Sequence, residues 1–472
     1  MKKKSPVRSF WLAVILIAVG SLPAARVPGD EAQLAKEIDA VMSQIYKPGE
    51  PGATVIVRRG GKTLFRKGYG LANLELGVPI EPDMAFRLGS ITKQFTAVAV
   101  LMLAERGQLS LGDEIGKYIP DFPTGSNKVT IEHLLAHTSG IRSYTNMEEW
   151  LPLWRKDMTP QEIIAMSKDK PFEFTPGEHW NYNNSGYVML GAIIEKVSGM
   201  SYEAFVRENI FAPLGMKRSG YDRTEKIIPR RVPGYQSDSE GFVNAPYLSM
   251  TQPYAAGSLY SSVDDLAIWN DAVLSGKLLK KECLDRAFTP FLMANGESTG
   301  YGCGWFVSDL RGHRTIEHGG GINGFLSYAL ALPDDGVYVA LLSNSAVQGR
   351  EPEPRAVRIA ELVLGLPRLE RKPVTLPAAA LDELVGVYVN PAGEDRYITR
   401  KGEKLFSQRA GGAKNPILAA SATEFFFTDT PTTILFSRDD GGKIDGLRVQ
   451  ARTGPAEIYS RTDKPLPTAR RK

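Results

Sequence analysis

Apolar residues recur along the chain at two periods, and the changes of period mark out its elements. A first helix runs from a cap at Asp30 or a neighbour to about residue 46, and two strands, 53–58 and 63–70, follow around the turn Gly60-Gly61. After Ser90 comes a stretch in which Phe95, Val98, Val100, Leu101 and Leu103 cover every side, which predicts a buried helix. Helical patterning fills the middle, at 130–137, 160–168, 185–198, 201–210 and 263–274. Strands return at 301–307, 315–318, 325–332 and 337–343, before a closing helix at 354–364. Strands, then helices, then strands predict an α+β class: one antiparallel sheet whose two ends meet, flanked by helices, with a helical subdomain inserted.

Residues 366–380 carry Pro367, Pro373 and Pro377 among mixed charges and read as a linker. Beyond it, short strands at 384–389, 396–400, 404–408, 424–427, 432–437, 446–451 and 456–460 predict a small all-β, barrel-like domain. Phe425, Phe426 and Phe427 read as its core and sheet residues rather than a ligand box. The domain boundaries are therefore 30–366 for the α+β unit, 367–380 for the linker and 381–463 for the barrel-like unit.

Composition changes this picture mainly at the N-terminus. Lys2, Lys3, Lys4 and Arg8 precede the apolar run FWLAVILIAV and the small residues Ala24 and Ala25. That pattern predicts a signal peptide over residues 1–25 and an exported protein, periplasmic or secreted, or membrane-anchored if the segment stays uncleaved. Without those residues the formal charge of +4 falls to zero, so no electrostatic pull toward nucleic acid remains. No later stretch reads as a membrane span. The two cysteines, Cys283 and Cys303, make no metal framework, and export permits either a disulfide or two separate thiols.

The chemistry gathers in three places. Ser90-Ile91-Thr92-Lys93 sets a hydroxyl and an amine three apart, on one face of the buried helix. The helix start favours a developing alkoxide, and desolvation lowers a lysine toward service as a base. Tyr182-Asn183-Asn184 precedes an amphipathic helix that Gly199 can end. Tyr182, as a tyrosinate near cations, could relay a proton, and Asn184 could hold Lys93. His318-Gly319-Gly320-Gly321 ends a strand, and bare glycines there let a substrate backbone approach. An N–H near Gly321 with that of Ser90 would form an oxyanion hole.

Each motif has a bland alternative: Ser90 as a helix cap, Tyr182 as a half-buried ring, the glycines as a hairpin turn. The chain also carries two copies of the same spacings. Ser167-Lys168-Asp169-Lys170 reads as a solvated helix face and Tyr144-Thr145-Asn146 as a polar loop, so changes there should be close to silent. His133 and His137 stand four apart without an HExxH glutamate or a third ligand, so no metal and no cofactor is assigned. The flanks of Ser90 also lack the glycines of a GxSxG elbow, which excludes an α/β-hydrolase.

In order, these elements resemble the serine β-lactamase and penicillin-binding-protein superfamily, closest to its class C-like β-lactamase, esterase and peptidase group. The resemblance runs from about residue 31 to 366 and is carried by FRLGSITKQFTA, LLAHTSGI, FTPGEHWNYNNSGYVMLG, AGSLYSSVDDLAIW and EHGGGINGF. FFFTD and ILFSRDDGGKIDGLRV resemble an appended lipocalin-like β domain, which offers a route to oligomers. The resemblance implies a β-lactamase/transpeptidase-like fold, with Ser90 as nucleophile, Lys93 as base and Tyr182 as second proton carrier. Asn184, His318, Gly320 and Gly321 would support catalysis or bind substrate. Where class C β-lactamases begin their third motif with lysine, threonine and glycine, this chain has His318-Gly319-Gly320. A neutral histidine holds a substrate carboxylate poorly; a protonated one would do better. The expected activity is therefore acyl-serine hydrolysis of a small molecule or peptide, by a peptidase on D-amino-acid or short peptide amides or by an esterase. A β-lactamase, or a module that binds penicillin or cell-wall peptides without turnover, is the alternative.

Overall fold

The computed structural model describes residues 28–467 apart from 370, 392 and 429; the expected signal peptide lies outside the described residues. A six-stranded antiparallel sheet forms the centre. Its order is Phe306–Leu310, His313–Ile322, Phe325–Leu332, Val337–Ser343, Ala53–Arg59 and Lys62–Tyr69. The first strands of the chain thus pair with the last ones of the domain, Ala53 lying opposite Ser343.

Alternation along the strands sorts the residues into two cores. Val55, Val57, Leu330, Val339 and Leu341 face Leu34, Ile38 and Met42 of helix Pro28–Ser43 and Ile359 and Val363 of helix Pro352–Leu364. Ile56, Ala329, Ala331, Ala340 and Leu342 face the helical subdomain. Helix Val263–Leu274 packs on that second face, where alanines leave it room. A sheet covered on both sides needs apolar residues at successive positions, which explains the unbroken burial of Val337–Ser343.

Helix Thr92–Glu105 lies at the centre of the subdomain, buried at every residue from Thr92 to Leu103. Phe95 stacks on Trp269 at 4.0 Å and meets Phe211 edge-on at 5.6 Å.

The C-terminal unit is a closed barrel of eight strands. Closure leaves no free edge. Sequence patterning misses Asn415–Ala419, because Pro416 breaks the strand signal; Ile417 and Ala419 nevertheless point into the barrel core. Phe425 and Phe436 meet edge-on there at 5.5 Å. Part of the stretch read as linker is ordered on the barrel. The Val374 N–H donates to Ala419 O, and helix Ala378–Glu383 brings Leu381 and Leu384 into the core.

Two further elements differ from the pattern. Strand His313–Ile322 continues through all three glycines, with Gly320 opposite Ser327, so the turn falls at Asn323-Gly324. The strand expected at 301–307 begins only at Phe306, because Gly304 bends the chain at φ +87°. Both cysteines are free thiols.

Replacing Phe95 with alanine should cost about 3–5 kcal/mol of stability, read as a lower urea midpoint. An unchanged midpoint would mean that this helix does not anchor the core.

Candidate active site

Ser90 lies in a tight 3-10 turn, Gly89–Ile91, that leads into helix Thr92–Glu105. Gly89 adopts φ +53°, and a Cβ there would fall 2.9 Å from Gly321 N, so only glycine brings this turn against the glycine strand. The N-cap positions of the turn and helix, Leu88 and Ile91, make no side-chain cap. The hydroxyl of Ser90 is therefore not used as a helix cap.

Lys93, one turn on, is 0% exposed. Its Nζ sits 2.8 Å from Asn184 Oδ1, 2.9 Å from the carbonyl of Ala256 and 3.2 Å from Ser90 Oγ. Burial pushes its pKa well below the usual lysine value. The rings of Tyr182 and Tyr187 lie 4.8 and 5.3 Å from Nζ, and burial outweighs their attraction for an ammonium. A neutral amine has two N–H bonds and one lone pair. Asn184 Oδ1 and the Ala256 carbonyl can only accept, so an uncharged Lys93 would give them its two N–H bonds and turn its lone pair to the Ser90 O–H.

Asn184 is itself fixed. Its Nδ2 donates to Thr145 Oγ1 at 3.0 Å and its backbone N–H to Ser143 Oγ at 3.1 Å. With the amide so oriented, Oδ1 must face Lys93. Asn183 caps helix Asn184–Ser198 by accepting from the Gly186 N–H, which presents Tyr182 on the loop just before it.

The Tyr182 ring is half-buried, while its Oη is buried and has no hydrogen-bond partner among the described residues. Burial raises its pKa and the neighbouring Ser90 hydroxyl offsets this only in part, so the group is a phenol rather than the tyrosinate expected from sequence. His137 backs it: the rings are 4.3 Å apart, and His137 Nδ1 accepts the Asn183 N–H at 3.1 Å. Burial holds the His137 pKa well below the usual imidazole value.

For His318, expected to bind substrate or support the site, the surroundings favour the neutral ring of the two forms considered. It is 2% exposed, Nδ1–H donates to Gly319 O at 2.5 Å, and Nε2 accepts from Tyr301 Oη at 2.9 Å. Burial, with Lys93 close by, pushes it down to about 3. It is a neutral support of the wall that Tyr301 and Tyr182 build. Gly320 has a steric reason: a Cβ would lie 2.0 Å from Leu88 O and 2.3 Å from Ser327 Oγ. Ser327 Oγ donates to that same Leu88 carbonyl at 2.7 Å, which ties the glycine strand to the Ser90 turn.

Gly89, Ser90, Asn184, Gly257 and Gly321 line a cleft of about 120 Å³, with Tyr144, Trp150, Leu248 and Ile322 as its apolar walls. No charged side chain lines it among the described residues. Of the two motif copies, Tyr144-Thr145-Asn146 reaches the cleft through Tyr144 and Thr145, while Ser167 is buried behind it rather than on a solvated face. Tyr144 is 2% exposed and donates to Gln252 O at 3.0 Å, while Thr145 holds Asn184. Ser167 is equally buried and bonds to Arg142 O and Ser185 Oγ at 2.9 Å, because its helix packs on Asn184–Ser198 instead of facing solvent. The carbonyl of Ala256 and the hydroxyl of Tyr301 carry no sequence signal of their own. His133 closes a capping box with Thr130 and meets Phe291 edge-on at 5.7 Å.

The chain matches the family described as Beta-lactamase over residues 33–364, and a family described as a domain of unknown function over 370–462. A penicillin-binding protein of Bacillus subtilis (strain 168) is 30% identical over 429 residues, covering 85% of this chain and 93% of the relative. Among solved structures, the octameric penicillin-binding protein homologue from Pyrococcus abyssi is 28% identical with a TM-score of 0.65, covering 91% of this chain and 99% of its own. A D-stereospecific amidohydrolase from Streptomyces sp. is 28% identical with a TM-score of 0.58, covering 71% of this chain and 98% of its own.

Gly320→Ala should open the gap between the glycine strand and the Ser90 turn, lowering acylation by about 10²–10³ as an oxyanion donor moves away. The rate of label incorporation at Ser90 measures it; a wild-type rate would show that this close approach is unnecessary.

Proposed function

The chain belongs to the beta-lactamase family, and on that footing we propose that it is a hydrolase that forms an acyl-enzyme on Ser90 and prefers uncharged amides of D-amino acids or short peptides, or esters. One observation supports the reading: the buried Lys93 Nζ lies 3.2 Å from Ser90 Oγ, and its two other hydrogen-bond partners among the described residues are oxygens that can only accept, Asn184 Oδ1 and Ala256 O. As Oγ attacks the substrate carbonyl, its proton moves to Nζ. The negative charge that develops on the carbonyl oxygen is met by the N–H groups of Ser90 and Gly321. The Tyr182 phenol then protonates the leaving amine or alcohol and is reprotonated from Lys93. Water releases the acyl group by the reverse relay.

Substrate class follows from charge. The cleft offers aromatic and aliphatic walls and no cationic side chain among its lining residues, and His318 is neutral. A ligand carboxylate would be desolvated there without a partner, whereas an amide or ester would not. The D-stereospecific amidohydrolase from Streptomyces supports the amide reading. Weak β-lactamase activity is the corollary, because β-lactams carry a carboxylate.

The octameric homologue supports assembly of this chain into oligomers. Export is supported by the basic residues 2–8 ahead of an apolar run. No helix among the described residues is long and apolar enough to cross a membrane.

Intact mass spectrometry after exposure to an activated ester should show one acyl adduct on the wild type and none on Ser90→Ala. Tyr182→Phe should lower kcat by about 10²–10⁴. An adduct that survives in Ser90→Ala would refute the assignment, and penicillin labelling without turnover of any ester would favour the binding module. In kcat/KM, a dipeptide of D-amino acids with an amidated C-terminus should exceed the same dipeptide with a free C-terminal carboxylate by about tenfold or more; the opposite order would refute the preference for substrates without a carboxylate.

A further inference from the structure

Among the contacts between the barrel and the α+β domain is a buried ion pair, Arg452 with Glu317. Glu317 directly precedes His318 on strand His313–Ile322 and is 0% exposed. Its carboxylate accepts from Thr315 Oγ1 at 2.7 Å and from Tyr328 Oη at 2.6 Å. The other partner comes from the barrel: Arg452, in the turn between strands Ile444–Gln450 and Glu457–Thr462. Arg452 Nη1 donates to one carboxylate oxygen at 2.6 Å and Nη2 to the other. Nη2 also reaches Tyr328 Oη at 2.7 Å and Glu353 at 3.3 Å.

The same turn touches the wall of the site. Ser308 Oγ donates to the Arg452 carbonyl at 2.6 Å, which seats the turn on the edge strand. At Gly454 a Cβ would lie 3.4 Å from Phe306 and 4.0 Å from Trp180. Those rings back the site, Phe306 at 5.4 Å from His318 and Trp180 at 6.4 Å from Tyr182.

A buried ion pair gives little net stability over apolar packing, but its geometry is specific, and the guanidinium fork matches a carboxylate in one orientation. We propose that Arg452 is a positioning residue for acyl transfer, supplied across the domain boundary. By clamping Glu317 it fixes the strand that carries His318 and Gly321, and its turn supports the aromatic wall behind Tyr182. The barrel is on this account part of the catalytic unit. The inference rests on the acyl-serine reading above.

The test uses full-length protein and p-nitrophenyl acetate. Arg452→Met should lower kcat by about tenfold or more with KM little changed, the signature of misplaced groups rather than lost binding. It should also lower the melting temperature, since Glu317 is left unpaired. Adding Glu317→Gln to Arg452→Met should restore the melting temperature but not kcat. Arg452→Lys keeps the charge without the fork and should lose about fivefold in kcat. Wild-type kcat in Arg452→Met, or in the double variant, overturns the proposal. If neither of these folds, Arg452→Lys decides, a loss supporting the clamp and wild-type kcat overturning it. A wild type that forms no adduct on Ser90 overturns the acyl-serine reading itself, and the two failures are thereby distinct.

Discussion

A lysine amine enclosed in protein and cut off from water is the constraint on which the proposed chemistry depends. On the proposed mechanism Lys93 serves Ser90 only if water and counter-ions are kept away from it and its two N–H bonds are occupied elsewhere. Asn184 Oδ1 and Ala256 O occupy them, at 2.8 and 2.9 Å. Burial removes the solvation that would hold the ammonium. With an acidic partner in place of either carbonyl, the ammonium would be favoured and the lone pair lost.

Much of the architecture meets that condition. The helix bearing Lys93 is buried from Thr92 to Leu103, and the subdomain core encloses it. Gly320 and Gly89 let the glycine strand lie against the Ser90 turn, with no side chain between them. His137 and His318 could have placed positive charge near Lys93, but burial lowers the pKa of both. The site therefore holds a phenol, an amine, amides and carbonyls around one hydroxyl, the groups that the proposed acyl transfer calls for.

The fold was legible in the chain because apolar periodicity and the order of elements are local properties: strands at 53–70 and 325–343 enclose a helical middle. The candidate residues were legible as spacings, three apart for Ser90 and Lys93 and two apart for Tyr182 and Asn184. Spacing could not tell motif from copy. Tyr144-Thr145-Asn146 has the same pattern, and folding brings it to the same cleft, where Thr145 orients Asn184. Protonation was equally hidden, since the neutral His318 depends on Tyr301 and on burial. The Ala256 carbonyl is a backbone group with no residue signature. Arg452 stands in an ordinary-looking turn, and only tertiary structure joins it to Glu317, 135 residues away.

The most direct measurement of the central claim is the titration of the Lys93 amine, followed by NMR in protein labelled at lysine side chains and assigned by comparison with Lys93→Arg. The account predicts a midpoint well below the ordinary value of 10.5, with a neutral amine at the pH of activity. A Lys93 that titrates with the surface lysines would contradict it, because a permanently charged amine has no lone pair for the Ser90 proton.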